Sequence, residues 1–114
     1  MIATKLRVPK EYIGYILKKG NPDSSKLFII RLQQNNKHFS RYRVIISKKL
    51  ENEAVKRNRL RRQIYEIIRI NSPKSQEIGM DIILIPKKNI KKVEFNSMSK
   101  DIIDNIVNIQ NGKI

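Results

Sequence analysis

The residues best suited to chemistry in this chain are the arginines of one short segment. Arg57, Arg59, Arg61 and Arg62 fall within six consecutive positions that contain no acidic residue. Pairing along a helix therefore has no carboxylate with which to neutralise them. The planar guanidinium group makes paired hydrogen bonds to phosphate and stacks on bases. The spacing favours a polyanion site over a merely solvated helix face.

Polar residues beside these arginines extend the same chemistry. Asn58 lies inside the run, and its amide both donates and accepts, so it can read a base edge or a 2′-hydroxyl. Lys48 and Lys49 come shortly before it. They could be proposed as general bases, but the dense positive charge around them makes phosphate binding the simpler role. The segment is predicted to bind nucleic acid and not to cleave it.

Other candidates for catalysis or metal binding are weak. His38 is the single histidine and lies in a polar stretch, and the chain has no cysteine. No set of nucleophile, histidine and acid can be assembled convincingly. Asp81, Asp101 and Asp104 are interpreted as surface or capping residues. We therefore expect no catalytic residue and no metal site on the protein.

Composition and charge agree with a nucleic-acid partner. The 114 residues include 25 Lys plus Arg against 10 Asp plus Glu, a formal charge of +15, and 39% are hydrophobic. This length suits a single domain, residues 1–114, and the charge favours nucleic acid. A membrane surface is an alternative that predicts bulky apolar residues exposed beside the arginines, whereas the apolar stripe of this segment is expected to pack on a sheet. No apolar run approaches the roughly 20 residues of a spanning helix. No signal peptide is visible, so we expect a cytoplasmic protein without a membrane partner.

The elements that must position these residues follow from periodicity. Helices are predicted from about Pro9 to Gly20, over 52–70 until Asn71-Ser72-Pro73, and from Asn96 or Ser97 as N-cap to Gly112. Strands are predicted over 27–32, 42–47 and 81–85. Residues 33–40 are interpreted as a hairpin loop, and residues 21–25 as a turn that could hold a short edge strand.

The order of these elements predicts an α+β fold. A small mixed sheet would carry helices packed mainly on one side, as a two-layer α/β sandwich. Tyr42, Val44 and Ile46 alternate onto one face of their strand. Residues 81–85 are apolar on both faces, as a strand between other elements would be. The last helix has one apolar stripe, formed by Phe95, Met98, Ile102, Ile106 and Ile109.

Projection of the long helix at 100° per residue separates its sides. The buried side is predicted to carry Leu60, Ile64, Ile67 and Ile68. The side nearly opposite is predicted to carry Asn58, Arg62, Tyr65 and Arg69, with Arg59 outward on one flank. Arg57 and Arg61 would lie beside the apolar stripe, close to the sheet. One helix would thus present guanidinium groups in two directions, one toward each of two RNA strands.

The segment Ser47-Lys48-Lys49, followed after a gap by Ala54-Val55-Lys56-Arg57-Asn58-Arg59-Leu60-Arg61-Arg62, resembles the signature of the bacterial ribonuclease P protein family. The specific match covers about a quarter of the chain, and the order of the other elements agrees over nearly all of it. The resemblance implies a sandwich like the second domain of ribosomal protein S5. It also implies a left-handed β–α–β crossover, against the usual hand.

The resemblance further implies function. The chain would be the protein subunit of ribonuclease P, in which a catalytic RNA removes the 5′ leader of precursor tRNA. Its partners would be that RNA, one protein per RNA, and precursor tRNA, with Mg²⁺ bound mainly by the RNA and no organic cofactor. The residues expected to contact the catalytic RNA are Lys48, Lys49, Lys56, Arg57, Asn58, Arg59, Arg61, Arg62 and Arg69.

The resemblance also implies a cleft between the first helix and the sheet that holds the single-stranded leader. The residues expected there are Tyr12, Ile13, Leu17, Ile29, Arg31, Arg41 and Arg43. The family usually has aromatic residues in this cleft, a Gly at Arg43 and often an Arg at Tyr65. With only 6% aromatics, backbone and charge contacts are expected to outweigh stacking. The alternative is a ribosome-associated or general RNA-binding protein with no role in cleavage.

Overall fold

The computed structural model describes residues 6–72 and 78–110. Its elements in chain order are α1 (Lys10–Lys19), β1 (Asn21–Ser24), β2 (Phe28–Gln34), β3 (Arg41–Val44), α2 (Ala54–Asn71), β4 (Met80–Pro86), the 3-10 segment Lys88–Lys92 and α3 (Phe95–Gln110). The predicted helices and strands are confirmed as elements, although β3 ends at Val44 and not at residue 47, and β1 is the edge strand anticipated at 21–25. The 3-10 segment was not anticipated. Pro73 and Gly112, expected at helix ends, lie outside the described residues.

The four strands form one mixed sheet in the order β1-β2-β4-β3. β2 pairs antiparallel with β1 and β4, and β3 pairs parallel with β4. The prediction of a hairpin loop at 33–40 is wrong, because β2 and β3 are not neighbours. β4 lies between them, since its two apolar faces are both buried only in the interior of a sheet. The tight hairpin instead joins β1 to β2.

One face of the sheet packs against α2 and α3 and forms the main core. Even-numbered residues of the strands, such as Ile30, Ile82 and Leu84, point to this side. Tyr42, Val44 and Ile46 join them, as their alternation predicted. This burial of alternate residues holds the sheet against the two helices and fixes the direction in which α2 presents its outer side.

The apolar stripe of α2 is buried as predicted at Ile64, Ile67 and Ile68, but the placement of Tyr65 is wrong. Tyr65 is 1% exposed, and its hydroxyl oxygen accepts a hydrogen bond from the backbone N–H of Val44 at 3.0 Å. β3 is an edge strand, so this N–H has no strand partner and needs another acceptor. Tyr65 follows Ile64 by 100° and so borders the buried side.

The start of α3 also differs from the prediction. The helix begins at Phe95, so Asn96 and Ser97 lie in its first turn and are not the N-cap. The backbone N–H of Met98 donates to the carbonyl of Glu94 at 3.1 Å, which places the cap at Glu94. The other four stripe residues are buried, whereas Phe95 is 51% exposed.

Helix α1 lies on the other face of the sheet. Ile16 packs there with Val8 and Ile83 in a second, small apolar cluster. Pro9 is the N-cap of α1, one residue before the predicted position, and Gly20 follows its last residue. A Cβ on Gly20 would lie 2.5 Å from the Ile16 carbonyl oxygen. Close packing, and not a left-handed backbone, therefore requires glycine at this position.

Candidate RNA-binding surfaces

The turn between β3 and α2 is held together by Ser47. Its carbonyl oxygen accepts hydrogen bonds from the backbone N–H groups of Leu50 and Glu51, both at 3.2 Å. Its hydroxyl oxygen accepts a further bond from Leu50 at 3.1 Å. The side chains of Lys48 and Lys49 are left exposed. Both ammonium groups are thus presented just before the first turn of α2.

The two arginines expected near the sheet are half-buried, but their hydrogen bonds go elsewhere. Arg57 Nη1 donates to the carbonyl oxygen of Glu51 at 2.9 Å, which fastens the preceding turn to α2. Arg61 Nη1 donates to Oδ1 of Asn58 at 2.7 Å. A guanidinium group has five N–H donors, so each arginine keeps donors for a phosphate. Asn58 is oriented by Arg61 and keeps its amide NH₂ group exposed.

Arg59 and Arg62 differ from Arg57 and Arg61 because their guanidinium groups make no side-chain hydrogen bond with a described residue. Both are exposed, and neither forms an ion pair with an acid in the described part of the chain. They line a groove of about 480 Å³ between α2 and the start of α3, together with Ile70 and Phe95. Two unneutralised guanidinium groups beside an exposed ring suit phosphate binding next to base stacking.

Two further cations of α2 have acidic neighbours. Lys56 Nζ lies 3.4 Å from Glu53, and Arg69 pairs with Glu66 one turn earlier in the helix. The hydrogen bond from Arg69 holds the pKa of Glu66 below its ordinary value. All four side chains are about half exposed. Exposed pairs of this kind are weak and screened by salt, so phosphate can replace the carboxylate.

The residues predicted to contact the catalytic RNA therefore form what we term the α2 surface. Its members lie on the 47–51 turn and on α2, and none belongs to the core. They are Lys48, Lys49, Lys56, Arg57, Asn58, Arg59, Arg61, Arg62 and Arg69. The five arginines of this surface are not dispersed, because α2 carries all of them.

The residues predicted to hold the leader all lie on α1 or on the sheet face beneath it, which we term the α1 face. They are Tyr12, Ile13, Leu17, Ile29, Arg31, Arg41 and Arg43. This face is opposite to the one covered by α2 and α3. Tyr12, Leu17 and Ile29 are exposed, whereas Ile13 packs partly against the small cluster.

The arginines of the α1 face are already hydrogen-bonded within the protein. Arg31 Nη1 donates to the Ile30 carbonyl at 2.9 Å. Arg43 donates from Nε and Nη2 to the Val8 carbonyl, at 3.2 and 2.6 Å. Arg43 thereby ties β3 to the segment before α1. These two residues have structural roles in addition to any contact with RNA.

Arg41 forms a buried ion pair that sequence reasoning missed. Its Nε and Nη2 donate to Oδ1 and Oδ2 of Asp81 at 2.7 and 2.6 Å, and the two side chains are only 11% and 6% exposed. Asn35 Nδ2 adds a third bond to the same carboxylate at 2.9 Å. The hydrogen bond to Asp81 raises the pKa of Arg41. The surface role predicted for Asp81 is wrong.

A sequence signal for this pair did exist. Asp81 is the one charged residue of an apolar strand, and such a charge is buried only with a partner. The parallel register places Arg41 directly opposite Asp81. The partner could not be chosen in advance, because the sequence did not reveal which strand lies beside β4.

Helix α1 divides its face of the sheet into two regions. Tyr12 and Arg41 line a cleft of about 620 Å³ at the end of the sheet where β2 stops and β4 begins. Ile13, like Ile45 and Ile85, packs instead against the small apolar cluster of Val8, Ile16 and Ile83. By helical geometry, Tyr12 and Leu17 lie 140° apart around α1, on opposite flanks. Of the predicted leader residues, Tyr12 and Arg41 alone line this cleft.

The remaining candidates for chemistry lie apart from one another. His38 is exposed, as expected, and Asp104 is exposed on α3. Asp101 caps the β1–β2 turn, accepting hydrogen bonds from Ser25 Oγ at 2.7 Å and from the backbone of Leu27 at 3.3 Å. Across residues 6–72 and 78–110, no group of three or more acidic or histidine side chains could hold a metal ion. The described groups that are suited to binding phosphate are therefore the exposed cations of the α2 surface.

Among the described residues, no helix is both long enough and apolar enough to cross a membrane.

Known proteins resemble this chain along most of its length. A family model described as Ribonuclease P matches residues 3–109. The ribonuclease P protein component of Mycoplasma mycoides is 34% identical over 83 residues, which is 73% of this chain and 75% of that protein. The solved RNase P protein of Staphylococcus aureus superposes with a TM-score of 0.75 at 25% identity, covering 91% of this chain and 94% of the other. That of Thermotoga maritima gives 0.73 at 25% identity, covering 88% and 94%.

These matches confirm the family resemblance carried by the Arg57-Asn58-Arg59 motif, and they do not favour a general RNA-binding protein without a role in cleavage. The structural likeness extends through the sheet and the helices, which confirms the α+β fold. The chain belongs to the ribonuclease P protein family, the protein component of the ribonucleoprotein endoribonuclease that processes the 5′ ends of tRNA.

Proposed function

We propose that the protein holds two RNAs at once, the catalytic RNA on the α2 surface and the single-stranded leader of precursor tRNA on the α1 face. The observation that carries this proposal is the exposure of Arg59 and Arg62 without acidic partners among the described residues. The α1 face lies on the other side of the sheet. Two RNAs can therefore be bound without competing for one surface.

Neutralisation of phosphate is the main contribution of the α2 surface. Two RNAs repel each other, and a protein with a formal charge of +15 lowers that repulsion where they meet. The turn held by Ser47 and the bond from Arg57 to Glu51 keep the cations in place before RNA arrives. Less conformational entropy is then lost when RNA binds.

Positioning is the main contribution of the α1 face. Exposed Leu17 and Ile29 offer apolar contact to sugars and base faces, while Arg31 and Arg43 keep N–H groups beyond those already bonded. A leader held along this face brings the scissile phosphate toward the catalytic RNA. Productive docking then costs less entropy.

Mg²⁺ is proposed to be held mainly by the RNA. The described carboxylates do not fit the ion, since Asp81 is occupied by Arg41 and Asn35 and no three acidic side chains converge. Phosphate neutralisation by the α2 surface would lower the Mg²⁺ concentration that the two RNAs need to overcome their mutual repulsion.

The α2 surface is tested by binding to the ribonuclease P RNA. Arg59→Ala with Arg62→Ala should weaken binding and lower the log–log salt slope by about 0.7 to 0.9 for each phosphate that the variant no longer binds. The matched control is Lys18→Ala with Lys19→Ala, which removes the same charge from exposed positions of α1. Equal weakening in the two variants would indicate a general charge effect and would refute the assignment of this surface.

The role in cleavage is tested by reconstitution. With ribonuclease P RNA at low Mg²⁺, the wild-type protein should accelerate removal of the leader from precursor tRNA. The double arginine variant should require more Mg²⁺ for the same rate. Absence of stimulation by the wild-type protein would overturn the proposed role and favour the general RNA-binding alternative.

We place this activity in the cytoplasm, with one protein bound to each catalytic RNA. The family assignment supports the first statement, and the single α2 surface on the described chain supports the second. Light scattering of the reconstituted particle measures the stoichiometry, and a mass equal to one RNA with two proteins would contradict it.

A further inference from the structure

Three connecting segments of the chain meet at one edge of the sheet. β4 ends there at Pro86, which pairs with Phe28 at the start of β2. β3 leaves the sheet at the same edge, because it runs parallel to β4. The β1–β2 turn, the 47–51 turn and the 3-10 segment that follows β4 therefore lie close together, although they are far apart in the sequence.

The 3-10 segment is fixed to this edge from two sides. The backbone N–H of Lys87 donates to the Leu27 carbonyl oxygen at 2.8 Å, and its Nζ bonds the same β1–β2 turn at 2.7 Å. Asn89 Nδ2 donates to the Lys26 carbonyl oxygen at 3.2 Å. Ile90 is 4% exposed and belongs to the main core. The segment therefore presents its remaining side chains from a rigid base.

The charged side chains that this base exposes are lysines. Lys88, Lys91 and Lys92 lie on the 3-10 segment, and Lys26 lies on the adjacent turn. We term these four residues the lysine edge. Residues three apart share one side of a 3-10 helix, so Lys88 and Lys91 are neighbours. None of the four belongs to the α2 surface or to the α1 face.

Acidic residues neutralise the lysine edge only at its margins. Lys91 Nζ lies 3.6 Å from Glu51, and this pair joins the edge to the 47–51 turn. Asp104 shares a groove of about 320 Å³ with Lys26 but forms no ion pair with it. The other three lysines of the edge pair with no acid in residues 6–72 and 78–110. The edge therefore keeps a positive charge that an anionic partner can neutralise.

The side chains of this edge select among polyanions. No large apolar side chain is exposed in the described ranges 24–27, 47–51 and 86–94, and Phe95 lines the groove of Arg59 and Arg62 instead. Proteins usually hold single strands with cations and stacking rings together, and this edge offers no ring.

A paired RNA helix matches the lysine edge better than a single strand does. Its bases are stacked inside, and it offers phosphates and 2′-hydroxyls to a protein. Lysine is a compact point charge that binds phosphate without reading a base. Asn89 donates through Nδ2 within the protein, which leaves Oδ1 to accept a hydrogen bond from a 2′-hydroxyl.

We infer that the lysine edge is a third RNA-binding surface, which holds the phosphate backbone of a paired RNA segment. The inference goes beyond the proposed function, which uses only the α2 surface and the α1 face. The end of the sheet adjoins both of its faces, so a helix bound there lies beside both RNAs. The paired segment belongs either to the catalytic RNA or to the precursor tRNA, since both offer the same phosphate chemistry.

Binding is tested with an RNA duplex of about 16 base pairs. Arg59→Ala with Arg62→Ala is the background, so that the α2 surface contributes less. In this background, Lys88→Gln with Lys92→Gln should lower the log–log salt slope by about 1.4 to 1.8, which corresponds to two phosphate contacts. If the affinities are equal at 1 M salt, binding at 0.1 M salt is then weaker by roughly 25- to 60-fold. An unchanged slope and affinity would overturn the inference.

The matched control is Lys18→Gln with Lys19→Gln in the same background, which removes the same charge from exposed positions of α1. Equal weakening of duplex binding by the two pairs of substitutions would indicate a general charge effect and would overturn the inference. Melting curves check that all variants fold. Unchanged duplex affinity together with lost binding to phosphatidylserine vesicles would assign the edge to a membrane surface instead.

A second probe tests the preference for paired RNA. The affinity of a single-stranded oligouridylate of the same length should fall less than that of the duplex when Lys88 and Lys92 are replaced. A loss as large as that of the duplex would show that the edge binds phosphate without regard to pairing, which contradicts the inference.

The source of the paired segment is found with a tethered reagent. The chain contains no cysteine, so Lys88→Cys supplies a single thiol for an iron chelate that cleaves nearby RNA. In the complex of protein, catalytic RNA and precursor tRNA, cuts on both strands of one helix would support the inference and name the source. Cuts confined to unpaired segments, or the same cuts from Val107→Cys on α3, would contradict it.

The two proposals fail in different experiments. Failure of the wild-type protein to stimulate cleavage would refute the proposed function without affecting the duplex measurements. Equal duplex affinity with and without the two lysines, with normal stimulation of cleavage, would refute only the third surface.

Discussion

Replacement of Asp81 by alanine isolates the role of the buried ion pair. The substitution removes both hydrogen bonds from Arg41 and the bond from Asn35, at 2.7, 2.6 and 2.9 Å. Arg41 then stays in a site where its side chain is 11% exposed. A guanidinium group does not lose its proton in a protein, so the positive charge of Arg41 remains buried without a counter-ion.

The expected magnitude follows from this burial. Removal of one partner from a buried pair costs about 3–5 kcal/mol, out of a total stability of about 5–15 kcal/mol for an ordinary domain. For 114 residues, an unfolding entropy of roughly 2.1 cal/mol/K per residue means that each kcal/mol lowers Tm by about 4 °C. Asp81→Ala should therefore lower Tm by about 12–20 °C.

Calorimetric melting at neutral pH measures the effect, with Glu66→Ala as the matched control. Glu66 also pairs with an arginine, but both partners are about half exposed, so its removal should hardly move Tm. Adding Arg41→Met to Asp81→Ala should restore part of the stability, because it removes the stranded charge. The reasoning is refuted if Asp81→Ala has the same Tm as Glu66→Ala. It is also refuted if adding Arg41→Met to Asp81→Ala does not raise Tm.

Four further substitutions test the packing and the burial of single groups. Tyr65→Phe should cost about 1–3 kcal/mol, since it leaves the backbone N–H of Val44 without its acceptor; urea unfolding measures this, and unchanged stability would show that the bond is unimportant. Gly14→Ala should stabilise α1 by up to about 1 kcal/mol, because nothing lies within 4 Å of the added methyl group. Gly20→Ala should destabilise the fold, because its methyl group would lie 2.5 Å from a backbone oxygen. A change of the same sign in the free energy of unfolding of both variants would contradict this. Burial raises the pKa of Tyr42 above 10.0, so its contribution should be complete below pH 10 and disappear as the pH rises through the folded-state pKa. The free energy of unfolding of Tyr42→Phe should fall less over that pH range than that of the wild-type protein. If the two free energies fall in parallel, the loss of stability does not come from the Tyr42 hydroxyl.

Much of the fold could be predicted because its signals are local. The alternation at Tyr42, Val44 and Ile46 places one strand face in the core, and the i, i+4 spacing from Ile64 to Ile68 does the same for α2. A strand or a helix must bury one side whatever its partner is, so the pattern is visible without knowledge of the partner. The Arg57-Asn58-Arg59 motif is local for the same reason.

The errors arose where a partner had to be chosen. Nothing near residues 33–40 reveals that β4 separates β2 from β3, because that order depends on which strand best buries two apolar faces. Tyr65 is drawn inward by an unpaired N–H on β3, 21 positions away. Helical projection can place such a residue at a border but cannot supply the distant group that decides its side.

By itself, the sequence determined the element types, the basic helix and the chemistry of its arginines, since charge and periodicity are properties of neighbouring residues. The tertiary structure alone decided that Arg41 is bound to Asp81, 40 positions away, and that Tyr12 and Tyr15 face a cleft rimmed by the end of β2. Both depend on strand order and register, which are set by burial over the whole sheet and not by any local segment.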